Sequence, residues 1–326
     1  MYNFVIFGSN WDLYKVSYSD LNRLENVRYI STPYEFRSPV FKFLYRLHWS
    51  PKINRFVNLP FKKIWNSGYF KNDFFDDNPI CFIFFSSKCV YEKDGLLKYL
   101  RIKYHNSKMV CFSQDIIDSQ QNFDIYHLKD VFDLVISFDQ FDCIKYGLEY
   151  HQLVYSHFPI GNSSSISKND VYFLGRAKNR LDEIIKTYEY LKSKNLKCDF
   201  HLVGVESKNQ VYPKEINYID NMPYIENLKH VVSSKCLLEI MQQNGHGYTQ
   251  RMCEAIAYGK KIITNNVEVK GAPFYNEKYI SVYSNLTDID ISFLKDGSND
   301  KVNYNYKEKL SPKELISFIE NKLLKK

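Results

Sequence analysis

Residues 236–266, CLLEIMQQNGHGYTQRMCEAIAYGKKIITNN, decide how this chain is read. The segment parses as an apolar strand over 236–240, a polar loop holding Gly245 and Gly247, an amphipathic helix over 248–258 and a strand over 261–264. In a doubly wound sheet, ligands sit outside the carboxyl ends of the strands, which is where this loop falls. The glycines let a ligand approach backbone, and the free N–H groups and dipole of the next helix form an anion site. Ordinary turns also place two glycines before a helix, so the loop alone does not settle the matter.

Glu254 sharpens the reading. Met252, Ala255, Ile256 and Gly259 form the buried face of the helix, and Glu254 falls off that face near its start. A carboxylate there suits the vicinal hydroxyls of a ribose, each bond contributing roughly 1.5–3 kcal/mol. The competing reading is a surface glutamate that complements the helix dipole or pairs with Arg251.

Outward from this block, alternating strand and helix signals fill two halves, the pattern of parallel sheets covered on both faces. Strands are expected over 3–7, 80–85, 108–112 and 133–137 in the first half, and over 171–174 and 200–203 in the second. Helices are expected over 95–105, 180–194, 225–233 and 311–325, the last opening with Ser-Pro-Lys-Glu. PIGNSSSISKN, residues 159–169, has little to bury and reads as a connector. The expected organisation is residues 1–158, residues 159–310 and a final helix, 311–326, packing back on the first domain.

Composition bounds the function. A length of 326 residues supports two cores, and no run of about 18 uncharged apolar residues argues for a transmembrane helix. The opening MYNFVIFGSNWDLYK lacks the basic segment and cleavage site of a signal peptide and reads as a strand. The seven cysteines are scattered, with no C-x-x-C pair, which argues against disulfides and a thiolate zinc site and for a reducing cytoplasm.

The net charge of +7 is uneven. No acid occurs over residues 36–72, where Arg37, Lys42, Arg46, Lys52, Arg55, Lys62, Lys63 and Lys71 alternate with Phe41, Phe43, Tyr45, Trp49, Phe56, Phe61, Trp65 and Phe70. Such a stretch suits an anionic membrane face, a phosphorylated acceptor or single-stranded nucleic acid. Core aromatics beneath a solvated basic face are the bland alternative. Helices broken near Pro51 and Pro60 are expected here.

FLGRAKNR, residues 173–180, supplies further cations. Gly175 ends a strand, Arg176 follows, and Lys178 and Arg180 stand behind it. Fixed guanidinium groups stabilise the growing charge on a diphosphate leaving group without a metal. A solvated basic turn is the alternative.

Together these pieces resemble the donor-binding domain of GT-B glycosyltransferases, especially the family-4-like group and related bacterial capsule, lipopolysaccharide and exopolysaccharide transferases. The resemblance rests on FLGR, on HLVG at 201–204 and on HGYTQRMCEAIAYGKKIITNN, about half the chain. It implies an α/β fold with two Rossmann-like domains facing across a cleft. Gly247, Tyr248 and Thr249 take the place of the phosphate loop, Glu254 that of the ribose glutamate and Arg176 that of the diphosphate arginine. The chain departs from the family at His246, where a sugar-contacting glutamate is usual, and in Arg180, the nearest stand-in for a displaced basic residue.

What the resemblance implies is a cytoplasmic, metal-independent transferase of surface polysaccharide synthesis, with a nucleotide-diphosphate sugar as donor substrate and no cofactor. The acceptor is a lipid-linked or oligosaccharide species, reached through peripheral association with the inner leaflet; nucleic acid is the weakest partner. Catalysis would rest on Arg176, His246 and Asp139, with Gly8, Ser9 and Asn10 lining the acceptor cleft. Asp12, His48 and Asp115 compete with Asp139 as a general base, and Asp142 lies in the same FDLVISFDQFDCIKYGL segment. Two rivals remain: a nucleotide-sugar epimerase of the same fold and a non-catalytic partner of glycan or transferase.

Overall fold

The computed structural model describes residues 1–31, 38–48, 50–54, 56–57, 59–85, 95–120, 124–161, 166–242, 245–295 and 302–325. Arg37, Trp49, Arg55, Cys89, Gln243, Asn244 and positions 162–165 of the connector lie outside the described residues.

Each half builds one six-stranded sheet, and every pairing within it is parallel. The first sheet holds β1 (Asn3–Phe7), β2 (Val27–Ile30), β3 (Ile80–Phe85), β4 (Lys108–Ser113), β5 (Leu134–Ser137) and β6 (Glu149–Tyr150), ordered β2-β1-β3-β4-β5-β6. The second holds β7 (Asn169–Arg176), β8 (Cys198–Val203), β9 (Ile216–Ile219), β10 (Ser234–Glu239), β11 (Lys261–Thr264) and β12 (Ile280–Val282), ordered β12-β11-β10-β7-β8-β9. In the second sheet the chain reverses its direction of travel between β7 and β10, which opens a crevice at their carboxyl ends.

The strand ICFIFF shows why the sheets are covered on both faces. Cys81, Ile83 and Phe85 enter one core while Ile80, Phe82 and Phe84 enter the other, as a period of two requires. Burying each such large side chain contributes about 1.5–3 kcal/mol. The second sheet is likewise sandwiched, with Tyr172 and Leu237 on one face and Phe173 and Leu238 on the other.

The helix Pro312–Leu324 starts with Ser311 capping Lys313 N and proline in its first turn. Its Leu315, Ile316, Ile319 and Leu323 join the core of β1, so the chain returns from the second sheet to the first.

The aromatic-basic stretch divides between core and surface. Prolines open the helices Pro39–His48 and Pro51–Asn54, consistent with proline's fixed backbone in a first turn. Trp65 and Phe70 are buried, whereas Phe41, Phe43, Phe56 and Phe61 are exposed. The helix Pro39–His48 buries none of its residues.

Candidate active site

A cavity of about 1160 Å³ lies between the two sheets. One wall comes from the first half, including Trp11, Gln114, Asp115, Asp139 and Phe141; the other includes Lys178, Arg180, Glu239, His246, Arg251 and Glu254. The cationic side chains of the lining thus stand on the second wall and four carboxylates, Asp115, Asp118, Asp139 and Asp142, on the first.

The second wall is built from the loop read at the outset. Thr249 caps the helix Gln250–Tyr258, its Oγ1 accepting from Arg251 N at 3.1 Å and Met252 N at 3.4 Å. The same hydroxyl donates to Glu239, a buried carboxylate at the end of β10 that also accepts from Thr264. Burial pushes the Glu239 carboxyl above its ordinary value.

Gly247 has φ +79°, a conformation that favours glycine, and an added Cβ would stand 3.2 Å from Phe138 O across the cleft. Asn266 Nδ2 donates to Gly247 O at 2.9 Å and Gly247 N donates to Glu268 at 3.0 Å, fixing the turn.

Glu254 is buried rather than off the packed face, a correction to the helical-wheel reading. Tyr224 Oη and Asn227 Nδ2 donate to its Oε1 at 2.7 and 3.1 Å, and Arg251 Nη1 donates to its Oε2 at 2.5 Å. Both oxygens are therefore held from within, yet the carboxylate lines the cavity and retains acceptor capacity. Burial alone would lower the Arg251 guanidinium's pKa; Glu254 beside it wins and raises it.

The cations are distributed differently from the sequence reading. Arg176 is exposed and is not among the cavity-lining residues, whereas Arg180 and Lys178 are. Arg180 Nη1 donates to Ile240 O and Nη2 to Arg176 O, while its buried Nε has no partner among the described residues. Lys178 Nζ donates to Gln242 Oε1 at 3.0 Å.

His246 pairs through Nδ1 with Glu268 Oε1 at 2.6 Å, and this bond raises its pKa. On the facing wall, Asp139 caps the helix Gln140–Tyr146, Oδ1 accepting from Phe141 N at 2.8 Å and Asp142 N at 3.0 Å. Its Oδ2 is buried without a partner among the described residues.

No protein-family model matches the chain and no curated protein matches it. Solved structures do. An alpha-glucosyltransferase in complex with UDP and a 13-mer DNA superposes with a TM-score of 0.54 at 13% identity, covering 97% of this chain and 99% of that one. Sucrose-phosphate synthase from Thermosynechococcus elongatus gives 0.52 at 11% identity, covering 92% of this chain and 83% of that one. The fold is GT-B. At such identities the likeness concerns architecture: two parallel sheets with helices.

Within this GT-B frame, Arg180, Gly245, His246, Thr249, Glu254 and Asp139 meet on one cavity, while Arg176, Gly175, Gly247, Tyr248, Gly8, Ser9 and Asn10 are not in its lining. Gly8 is buried against the Tyr29 ring, and Ser9 N donates to Tyr29 Oη at 3.1 Å; the neighbouring Trp11 reaches the cavity instead. Tyr248 packs edge-on against Phe274. Among the rival bases, Asp12 pairs with Lys15 at 3.1 Å and His48 Nδ1 accepts from Trp65 Nε1 at 2.6 Å, while Asp115 lines the cavity.

Glu239, Arg251, Tyr224 and Asn227 were missed as site residues. A lone acid closing the apolar run CLLE was a usable signal for Glu239, because that strand end faces the crevice. Tyr224 and Asn227 belong to a helix whose facing partner only the fold supplies.

Proposed function

We propose that the chain is a glycosyltransferase that takes a sugar from a nucleotide-diphosphate donor on its second half and passes it to an acceptor hydroxyl presented by the first. The observation carrying this reading is the make-up of the two walls: Lys178, Arg180 and a helix N-terminus beside the internally bonded Glu239 and Glu254 on one, and four aspartates on the other. The acceptor oxygen attacks the anomeric carbon as the bond from that carbon to the phosphate oxygen breaks. Charge then grows on the departing diphosphate, where Arg180, Lys178 and the helix N-terminus oppose it. We assign the acceptor's proton to Asp139, which lines the cavity and whose unpartnered but buried Oδ2 would have to be uncovered as the acceptor binds. Glu254 is assigned to the ribose. That the alpha-glucosyltransferase was solved with UDP agrees with this choice of donor.

The acceptor we propose is a lipid-linked or oligosaccharide intermediate of surface polysaccharide synthesis, met at the cytoplasmic leaflet. Support comes from the helix Pro39–His48, which exposes Val40, Phe41 and Phe43 beside Lys42 and Arg46. Among the described residues no helix is long and apolar enough to cross a membrane.

A second reading, a non-catalytic partner, draws on the internal hydrogen bonding of Glu254. Thermal shift against a panel of nucleotide sugars, followed by transfer assays with the hit, tests the first reading. Calorimetry with UDP and GDP separates the two, since a scaffold alone shows no diphosphate-dependent heat. No shift, no heat and no transfer across the panel would end the proposal.

A further inference from the structure

We propose that Asp199, His201 and His230 form a binding site for a divalent transition-metal ion, with zinc the best match to the ligand set. None of the three lines the cleft, so the site is separate from the donor pocket. Asp199 and His201 are two apart on β8 and therefore project from the same face of the sheet. His230 reaches them from the last turn of the helix Tyr224–Ser233, which packs on that face.

The geometry is convergent. His201 Nε2 lies 2.8 Å from Asp199 Oδ1, and His230 Nδ1 lies 2.6 Å from Asp199 Oδ2. Ligand atoms of all three residues lie within 4.8 Å of one another. The side chains are only 9%, 11% and 14% exposed for His201, Asp199 and His230, so a bound ion would be largely shielded. Each oxygen of the Asp199 carboxylate thus faces one ring nitrogen, and uptake of an ion would release the protons that now bridge them.

Two imidazole nitrogens and one carboxylate suit zinc, with water in the fourth position. Tetrahedral coordination at about 2.0–2.1 Å separates neighbouring ligand atoms by about 3.3 Å, so the contacts at 2.8 and 2.6 Å, which fall on different oxygens of Asp199, must open by about 0.5–0.7 Å. A metal on His201 Nε2 also sends the ring proton to Nδ1, which is buried without a partner among the described residues. The lack of an acceptor there should weaken binding by about 10–100-fold relative to a site whose second ring nitrogen is paired.

An ion here would clamp β8 to the helix that carries Tyr224 and Asn227, the two donors to Glu254. Tyr172 ties the parts together: its ring stacks on His230 at 5.3 Å and its hydroxyl donates to Asn227 Oδ1 at 2.9 Å. The ion's role is thus structural, holding one side of the nucleotide pocket. Only this last step rests on the proposed donor site; metal uptake does not.

The test uses the full chain, stripped with a chelator, then titrated with zinc against a chromophoric competitor and with cobalt followed by visible absorption. One ion per chain is expected, with a zinc-dependent rise in Tm. His230→Ala and Asp199→Asn should weaken uptake by about 10-fold or more, as loss of a ligand does at least as strongly as loss of its support. Zinc-edge absorption of the wild-type chain should show nitrogen and oxygen neighbours, which keeps the proposal falsifiable if a variant fails to fold. No stoichiometric uptake, uptake unchanged in folded variants, or a sulfur-containing shell would overturn it. Normal zinc binding with no nucleotide-sugar binding would instead overturn the proposed function and leave the metal site standing.

Discussion

His246 of the second half stacks on Phe141 of the first, ring centroids 5.2 Å apart and planes 18° from parallel. The contact joins the glycine loop to the helix that Asp139 caps, so this imidazole is one of the points where the two walls of the cleft touch. Glu268 orients that ring and raises its pKa.

This pairing predicts a pH dependence. His246 has a folded pKa raised above 6.5, so its contribution is fully present below 6.5 and is lost as pH rises through the raised value. Burial alone would raise the Glu268 carboxyl, but Gly247 N and His246 together hold it below 4.5, so its contribution is present above 4.5 and lost as pH falls through the lowered value. Stability from the pair should therefore peak between those limits. Both groups are more than a third exposed, so the effect is small, on the order of 1–2 °C in Tm. Melting curves across pH for wild type and Glu268→Gln check it; identical profiles would refute the coupling.

Arg180→Ala should lower turnover by about 10²–10³-fold, the cost of removing a donor aimed at developing charge. Arg176→Ala should change it less than about threefold, because that side chain lies outside the cavity lining. Steady-state kinetics with the donor found by thermal shift compares the two, and the reverse order would return the role to Arg176.

Glu254→Ala should destabilise the chain by about 3–5 kcal/mol, since it leaves Arg251 buried without its carboxylate partner. Replacing both residues with methionine should restore much of the stability without restoring nucleotide binding. Denaturant unfolding and calorimetry read the two quantities separately. Recovery of binding in the double variant would remove Glu254 from the site.

Gly247→Ala should cost about 1–2 kcal/mol for the left-handed backbone alone. The added methyl also crowds Phe138 O, so the two walls should approach less closely and KM for donor should rise. Unchanged Tm and KM would show that the turn relaxes freely.

Phe41→Asp with Phe43→Asp should abolish sedimentation with anionic vesicles while leaving Tm within about 2 °C, because neither ring is packed. Equal sedimentation of both proteins would remove this face from the membrane.

The fold was largely legible. Apolar runs such as 80–85 and 261–264 matched their strands, since central parallel strands are apolar on both faces. The short flanking strands β2, β6, β9 and β12 escaped notice: Glu149–Tyr150 and Ile216–Ile219 carry too few buried residues to form a pattern. The helix expected from 248 begins at Gln250, with Thr249 as its cap, a boundary that the spacing of apolar residues does not fix. The partners of Glu254 were less legible. Arg251 was near enough in sequence to be considered, whereas Tyr224 lies 30 residues away and meets it only through the packing of two helices. The choice between Arg176 and Arg180 turned on side-chain direction after a strand end, which spacing alone leaves open.

The return of the helix Pro312–Leu324 to the first sheet means that the polypeptide passes between the halves twice. The two passages run side by side: Tyr155 N donates to Leu310 O at 2.7 Å and Gln152 Nε2 to Lys309 O at 2.8 Å. A double tether of this kind behaves like a door on two pins. Each bond between the passages resists a swivel of one sheet against the other more than a single connector would.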